Sequence, residues 1–371
     1  MKSEYIRSAV FVLLALLPAA PASAKKSLNW RMRKKPAVST ATVSGADAAV
    51  AASTTPALVE VKLMAGRWNP ETRAALEGLM TQHGRGAPGY DANAPPVAVL
   101  PWSDAAVAGD PAELVFLRLV SDAKFRVDDA WWEIVPIAYG RQPTRAAYEE
   151  MTTLSSTTWT SQPSYHAWRK GMLSGYLGLC RNVGRKECRS YLARLWAGWR
   201  EDDAEDYAKS VLAEERRHVG PVEIVPGEPG DRQPLRARRG LRVIPEMRDL
   251  VGKLRGAGFD VWVIDDVPQP VLAASAVDYG VDPSRIYGVQ NSTQGVRLGA
   301  EVAVPVPTRG GKTDIVQSML GRPPDLVLGR DSADFDVLSY GDGLRVVLDL
   351  DPALVKKARE RGWLVQHAFA R

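Results

Sequence analysis

Four short polar segments carry the side chains that could do chemistry in this chain. Asp104 lies in the first, Asp265 and Asp266 in the second, Lys312 in the third, and Arg330, Asp331 and Asp334 in the fourth. Carboxylates act as acids, bases and ligands for hard cations, whereas lysine and arginine bind anions. These residue types predict either a metal-assisted hydrolase or a site that binds an anion.

Strands and helices alternate around the polar segments. A continuous apolar run, typical of a strand buried in a parallel sheet, lies at 97–100, and strands with a single Asp each are predicted at 259–264, 325–328 and 346–350. Helical patterns occupy 245–255 and 270–279, and a helix opens at Gly310. This alternation predicts an α/β fold with a doubly wound, mainly parallel, Rossmann-like sheet, whose ligand site lies at the carboxyl ends of the strands.

The stretch from 112 to about 213 has helical spacing throughout and is rich in aromatic residues. Its tryptophans are Trp131, Trp132, Trp159, Trp168, Trp196 and Trp199. Large aromatic side chains at helical spacing usually form a core, so we predict that these are core residues rather than a stacking platform. Four prolines between 221 and 234 predict a loop or boundary at its end.

In order and spacing the chain resembles the haloacid dehalogenase-like (HAD-like) superfamily, in its secreted phosphoserine-phosphatase-like and phosphorylcholine-phosphatase-like branch. That family has an Asp-x-Asp-x-Thr turn after the first strand, a Ser or Thr after the second, a Lys at a helix start and a Gly-Asp-x-x-x-Asp turn. The matching segments here are VAVLPWSDAAV, FDVWVIDD, GGKTDIV and PDLVLGRDSAD. The resemblance implies a core at 66–110 and 235–371, with an all-helical cap inserted at 111–234.

The resemblance also implies a phosphatase chemistry. In that family one Asp attacks phosphorus to form an aspartyl-phosphate, and a second Asp acts as general acid and base. Mg²⁺ binds oxygens of the first and last turns, while the Ser or Thr and the Lys bind the phosphoryl oxygens.

This chain departs from the family pattern at the reacting positions. Pro101 stands at the nucleophile and Ser103 at the acid/base, Asp265 replaces the phosphate-binding hydroxyl, and Arg330 replaces a metal-binding Asp. The positions that match are Lys312, Gly329 and Asp334. Because loss of a nucleophile and its partner costs many orders of magnitude in rate, we expect a pseudoenzyme that uses no Mg²⁺.

The remaining charges leave alternatives open. Lys312 and Arg330 could bind an anion, or Arg330 could pair with Asp265 and fill the old site. A shift of one residue in the match would instead give an active Mg²⁺-dependent phosphatase, whose acids would be Asp104, Asp331 and Asp334. The leading hypothesis is a binding protein for a small anionic ligand in the cleft, or for a protein partner on the cap.

Residues 1–24 have the layout of a secretory signal peptide. Lys2 and Arg7 precede an apolar run of twelve residues, and Ala22-Ser23-Ala24 matches a small-residue cleavage site. The run is shorter than a spanning helix, which needs roughly 17–25 residues. Cleavage after Ala24 predicts a periplasmic or secreted protein without a transmembrane helix; an uncleaved membrane anchor is the alternative.

Positive charge is concentrated near the N-terminus. The formal charge is +5, yet residues 1–35 hold eight Lys or Arg and one Glu, and the rest of the chain holds 40 basic and 42 acidic residues. Because the chain after residue 35 is not basic, its charge argues against nucleic-acid binding. The basic stub at 25–35 and the low-complexity linker that follows, up to residue 65, could contact an anionic envelope surface. A solvated charge run at a flexible end is the simpler interpretation.

Cys180 and Cys188 are the only cysteines in the sequence. They could form a disulfide in an oxidising compartment, or remain as thiols on neighbouring helical turns, because spacing alone does not determine their separation. The four histidines are scattered, so the sequence predicts no zinc site.

Overall fold

The computed structural model describes residues 60–155 and 157–369. The predicted signal peptide, and the predicted stub and linker up to residue 59, lie outside these ranges. In the part of the chain that the structure describes, no helix is both long and apolar enough to cross a membrane.

The α-helices lie mainly between residues 70 and 276, and three more follow near the C-terminus. They are α1 (Pro70–His83), α2 (Pro111–Ser121), α3 (Asp129–Trp132), α4 (Arg141–Thr152), α5 (Pro163–Asn182), α6 (Arg185–Arg194), α7 (Glu201–Glu215), α8 (Pro245–Gly256), α9 (Gln269–Ala276), α10 (Gly310–Leu320), α11 (Phe335–Leu338) and α12 (Pro352–Glu360).

The strands fall into one large sheet and three two-stranded pairs. They are β1 (Val97–Leu100), β2 (Val107–Ala108), β3 (Val222–Val225), β4 (Leu235–Arg238), β5 (Arg242–Val243), β6 (Asp260–Pro268), β7 (Ile286–Val289), β8 (Asn291–Gln294), β9 (Arg297–Val302), β10 (Leu326–Gly329), β11 (Leu344–Asp349) and β12 (Leu364–His367).

Six strands form a parallel sheet in the order β12-β11-β10-β1-β6-β7. The strand β1 is central, with Ala98 opposite Val261 on one side and Leu326 on the other. Chain order runs outward from β1 in both directions, which places the topological switch point at its carboxyl end. The predicted doubly wound, parallel sheet is confirmed.

Alternate residues of β1 point into two separate hydrophobic clusters. Ala98 and Leu100 pack in the cluster that contains residues of α1, α8 and α9, whereas Val97 and Val99 pack with residues of α10, α11 and α12. All four side chains are 3% exposed or less. Because helices cover both faces of the sheet, the strand appears in sequence as a continuous apolar run.

The strand β6 extends further than the sequence predicted. The apolar run suggested an end at Ile264, but the strand continues to Pro268, which pairs with Val289 of β7. Asp265 and Asp266 therefore lie inside a strand, at 0% and 1% exposure, rather than in a turn. The apolar pattern missed this extension because buried carboxylates are tolerated only where cations compensate them.

The segment between β2 and β5 forms the cap. It is helical from α2 to α7, as the sequence predicted, and then adds the antiparallel pair β3 and β4, which was not predicted. Aromatic rings form the interior of the helical part: the centroids of Trp132 and Trp168 lie 6.2 Å apart and those of Phe125 and Trp131 lie 5.0 Å apart. Of the proline-rich stretch predicted as a loop or boundary, residues 222–225 form β3 and residues 226–234 form the connection from β3 to β4.

A disulfide joins Cys180 of α5 to Cys188 of α6, with the two Cα atoms 5.0 Å apart. It closes the tight turn at Gly184, whose φ of 120° favours glycine. The bridge therefore holds the first turn of α6 against the end of α5.

Candidate functional site

The carboxyl ends of β1, β6 and β10 meet at the switch point, where helix α6 of the cap contacts β6. Charged side chains are buried here at 4% exposure or less. We call this group the inner centre; its members are Asp265, Asp266, Lys312, Arg330 and Asp334.

The turn after β1 is built around Trp102 rather than around an acidic residue. Trp102 is fully buried, its indole N–H donates to Ser275 Oγ at 2.6 Å, and its ring packs edge-on against Tyr279 at 4.7 Å between centroids. Pro101 and Ser103 flank it and are buried. The hydroxyl of Ser103 has no hydrogen-bond partner, so no base activates it. Neither Pro101 nor Ser103 therefore offers an activated nucleophile.

Asp265 accepts four hydrogen bonds from the protein. Two come from the backbone N–H groups of Trp102 at 2.6 Å and Ser103 at 3.3 Å. The other two come from Arg330, at 2.9 and 3.2 Å. Burial raises the pKa of Asp265, and the guanidinium of Arg330 acts in the opposite direction. The carboxylate occupies the position at which the family places a phosphate-binding hydroxyl.

Arg330 uses all five of its N–H donors inside the protein. Its Nη1 donates to Asp265 Oδ2 and to the carbonyl oxygen of Ser103, and its Nη2 donates to Asp265 Oδ1 at 3.2 Å and Asp266 Oδ1 at 3.3 Å. Its Nε donates to Asp331 Oδ2 at 3.3 Å. Since a guanidinium carries five donors, none is left for a ligand.

Lys312 forms a buried ion pair with Asp334. Its Nζ lies 2.5 Å from Asp334 Oδ1, and both side chains are 2% exposed. The other oxygen of Asp334 accepts from the backbone N–H of Arg330 at 2.8 Å. Burial acts to lower the pKa of Lys312, but the carboxylates of Asp334, Asp265 and Asp266 together outweigh it and raise that pKa above its usual value. The lysine therefore neutralises an internal acid.

Helix α6 brings two arginines, four residues apart, onto the inner centre. Arg185 donates to Asp266 through Nε and Nη2, and its Nη1 lies 3.0 Å from Asp331 Oδ2. Arg189 donates to both carboxylate oxygens of Asp110, and its Nε lies 3.7 Å from Asp266 Oδ1. Sequence reasoning missed these two arginines; their only signal was the shared face that i, i+4 spacing gives on a helix.

Cations surround the carboxylate of Asp266 on three sides. Burial acts to raise its pKa, but Arg185 and Arg189, assisted by Arg330, hold that pKa well below the usual range. The pKa of Asp331 is also lowered, since Arg330 and Arg185 outweigh its burial. The acids and bases of this region therefore compensate one another across the contact between core and cap.

Asp104 does not join the inner centre. Its φ is 54°, and its two carboxylate oxygens accept from the terminal nitrogens of Arg238 at 2.9 and 3.0 Å. Asp331 and Asp334 instead bind cations of the inner centre and of α6. The three acids of the alternative phosphatase site thus have separate partners.

The residues present do not fit the Mg²⁺ that the family uses. Arg330 stands where the resemblance implies a metal-binding Asp, with its guanidinium 2.9 Å from Asp265 and 3.3 Å from Asp266. Mg²⁺ requires oxygen ligands in near-octahedral geometry, and a guanidinium at the same place repels it. Within residues 60–155 and 157–369, no group of three or more His, Cys, Asp or Glu side chains is placed to hold a metal ion.

A cavity of about 620 Å³ adjoins the inner centre and reaches outward between α6 and the strands β4 and β5. Its acidic lining consists of Asp104, Asp110, Glu113 and Asp331. Its arginines are Arg185, Arg189, Arg238, Arg239, Arg242 and Arg330. Arginines outnumber acids among these lining residues, but all of them except Arg242 are paired with a carboxylate on or behind the wall.

No protein-family model matches the chain, and no curated protein matches it. Among solved structures, a conserved protein of unknown function from Anaerococcus prevotii is similar, with a TM-score of 0.72 and 19% identity over 83% of this chain and 94% of that one. A protein of unknown function from Bordetella pertussis has a TM-score of 0.46 and 13% identity over 72% and 96% of the two chains. A substrate-bound phosphoserine phosphatase has a TM-score of 0.37 and 9% identity over 73% and 91%.

The similarity to the Anaerococcus prevotii protein shows a shared fold. The lower TM-scores carry no argument, so the class rests on the arrangement of this chain. The turn at 101–105 follows β1, Asp265 lies on β6, Lys312 lies in the first turn of α10 and Gly329 ends β10. A mainly helical segment is inserted after the first of these turns. This layout agrees with the HAD-like arrangement that the sequence resemblance implied.

Proposed function

We propose that the protein is a catalytically inactive HAD-like protein that binds a small anionic molecule between its core and its cap. Arg330 carries this proposal, because all five of its donors are used by internal acceptors. Because the guanidinium of Arg330 is bound internally at the position where the family binds metal, neither Mg²⁺ nor a phosphoryl group has room there.

Each step of the aspartyl-phosphate reaction lacks the side chain that would carry it out. Pro101 has no nucleophilic atom, and the hydroxyl of Ser103 is far too weak an acid to protonate a leaving group at neutral pH. The carboxylate of Asp265 would repel the oxygens of a phosphate placed beside it. These defects coincide at one place, so no single residue can compensate for them.

An active phosphatase built from Asp104, Asp331 and Asp334 is disfavoured by the ion pairs. Asp104 binds Arg238 through both of its oxygens, at 2.9 and 3.0 Å, and so has no oxygen aimed at the other two acids. A metal site would require all three carboxylates to give up their present partners.

The cavity supports the binding of a small ligand as the function of a protein without catalysis. Its volume of about 620 Å³ lies within the range of small-molecule sites, roughly 300–1,000 Å³. It sits outside the carboxyl ends of the strands, the usual ligand position in doubly wound sheets. These features favour a small ligand in the cleft over a protein partner on the outer face of the cap.

We place this binding outside the cytoplasm. The signal-peptide layout of residues 1–24 supports this location, and so does the disulfide between Cys180 and Cys188, because such bonds persist in oxidising compartments. The basic stub at 25–35 would add only a weak contact with an anionic envelope surface.

Hydrolysis of para-nitrophenyl phosphate in the presence of Mg²⁺ tests the loss of catalysis. We expect the wild-type protein to show no turnover above that of the Asp334→Ala variant. Turnover that Asp334→Ala abolishes would show that the protein is an active phosphatase.

A reversion series tests whether the inner centre is filled. Pro101→Asp with Ser103→Asp restores the nucleophile and the acid, but we expect no activity while Arg330 and Asp265 remain. Adding Arg330→Asp and Asp265→Ser should then restore Mg²⁺-dependent hydrolysis. The matched control keeps these last two changes and places Asn at 101 and 103. Activity in the first double variant would contradict a filled centre.

A further inference from the structure

The arginines of the cavity differ in the number of N–H donors that they have free. Arg330 has none, since its five donors are used inside the protein. Arg238 donates one hydrogen bond from each terminal nitrogen to Asp104, and its side chain is 62% exposed. Arg242 makes no ion pair or side-chain hydrogen bond within residues 60–155 and 157–369, so all five of its donors are free. Free donors therefore lie at the outer end of the cavity.

One loop holds Arg238 and Arg242 at the same wall. Arg242 of β5 lies opposite Ala108 of β2 in an antiparallel pair. Arg238 of β4 is held by Asp104, whose backbone N–H donates to the carbonyl oxygen of Gly109 at 3.0 Å. Both arginines are thus positioned by residues 104–109, directly after the first turn of the core.

The acids on the cavity wall balance all but one charge at this end. Asp104 pairs with Arg238, Asp110 is bound by Arg189, and Asp331 lies 3.0 Å from Arg185. Arg242 has no such partner within residues 60–155 and 157–369. The uncompensated positive charge at the outer end of the cavity is therefore that of Arg242.

We infer that Arg238 and Arg242, which we call the outer arginines, form an anion site at the mouth of the cavity. The ligand is a small molecule with at least one carboxylate or phosphate group, since both present paired oxygens that match a guanidinium. This inference rests on the proposed function, because it specifies the ligand of the same cavity. It also separates that ligand from the position at which the family binds phosphate, which Asp265 and Arg330 fill.

Isothermal titration of the full chain with citrate and, separately, with inorganic phosphate tests the site. Arg242→Gln removes the charge and is safe for the fold, because Arg242 has no partner to lose. We expect it to weaken binding about tenfold or more, the effect of losing one or two charge-assisted hydrogen bonds. Arg236→Gln is the matched control: Arg236 is an exposed arginine of the neighbouring strand β4, which also carries Arg238, but it does not line the cavity. Its affinity should stay within about twofold of wild type.

The two probes distinguish the ligand classes. Tighter binding of citrate that depends on Arg242 assigns a carboxylate ligand, and the converse assigns a phosphate ligand. Wild-type affinity in Arg242→Gln, an equal loss in Arg236→Gln, or no binding of either probe would overturn the inference. None of these results bears on the hydrolysis assay, so the anion site can fail while the loss of catalysis stands.

Discussion

The inner centre and the outer arginines lie in one cavity and use their charges in opposite ways. At the inner centre, Arg330 is 4% exposed and every donor has an internal acceptor. At the mouth, Arg238 is 62% exposed and keeps free donors, while Arg242 has no charged partner in the described ranges. Burial thus separates charges that stabilise the fold from charges that remain available to a ligand.

This difference bears on the proposed loss of catalysis, because a centre that has lost its catalytic side chains need not be empty. A buried cation or carboxylate without a partner costs several kcal/mol, so Asp265 and Arg330 are tolerable only together. Once paired, they close the place where phosphate and metal would sit. The cap adds to this closure, because Arg185 and Arg189 of α6 bring two more cations to the neighbouring Asp266. Ligand binding is then left to the less buried end.

The largest effect should come from breaking the pair at the inner centre. Arg330→Gln leaves the carboxylates of Asp265 and Asp266 buried with one cation fewer, and we expect a loss of about 3–5 kcal/mol in the free energy of unfolding by urea. Adding Asp265→Asn to this variant should recover much of the loss. A loss below about 1 kcal/mol for the single variant would show that Arg330 contributes no more to stability than an exposed ion pair does.

Removal of the disulfide should cost less. Cys180→Ser with Cys188→Ser opens a loop with a sequence separation of 8, and chain entropy predicts a loss of about 2–3 kcal/mol in the free energy of unfolding. A reducing agent should produce the same loss in the wild-type protein and none in the variant. Equal stability of the wild-type protein with and without the reductant would show that the two cysteines are not bridged.

Acid should loosen the contact between cap and core. The pKa values of Asp266, Asp331 and Asp110 are held below their usual range, so these groups stabilise the folded state above about pH 4 and lose that contribution as pH falls further. Burial raises the pKa of Asp265 and of Glu113, and these two groups partly offset the loss. Urea unfolding between pH 3 and pH 7 measures the net slope.

Asp266→Asn is the variant that sharpens this pH test. It removes the carboxylate that three arginines surround, so the dependence of unfolding free energy on pH should be flatter than in the wild-type protein. An unchanged slope would mean that the acid sensitivity arises elsewhere in the molecule.

The smallest change in stability should come from the mouth of the cavity. Asp104 and Arg238 form an exposed pair, at 33% and 62% side-chain exposure, so Asp104→Asn should cost less than about 1 kcal/mol. It should also tighten citrate or phosphate binding, because Arg238 gains free donors. Asp129→Asn is the matched control, since Asp129 forms an exposed pair with Arg145 outside the cavity lining. Weaker anion binding in Asp104→Asn would contradict the role of Arg238.

Much of the fold could be predicted from the sequence because its central strands are buried on both faces. The run at 97–100 and its counterparts after 325 and 346 are continuous and apolar, and they became β1, β10 and β11. The antiparallel pairs β3–β4 and β8–β9 were not predicted, because short, half-exposed strands with Arg, Glu and Gly carry little periodicity. The extension of β6 was not predicted for a different reason: it begins with the acidic residues Asp265 and Asp266.

The site could be predicted only where a motif marked it. The order of the turns located Pro101, Ser103, Asp265, Lys312 and Arg330, and a pairing of Arg330 with Asp265 was one of the alternatives considered. The contributions of Arg185, Arg189 and Asp110 depend on how the cap docks on the core, which spacing along the chain does not encode. The outer arginines were missed because the sequence does not show which arginines form ion pairs in the folded protein and which keep free N–H donors.

A crystal structure of the protein soaked in selenate would test the contrast between the two regions most directly, since selenium marks a bound oxyanion by anomalous scattering. We predict an anomalous peak between Arg238 and Arg242, with Arg330 still bound to Asp265. A peak against Lys312 and Arg330, with their internal pairs broken, would show that the inner centre is still an open anion site.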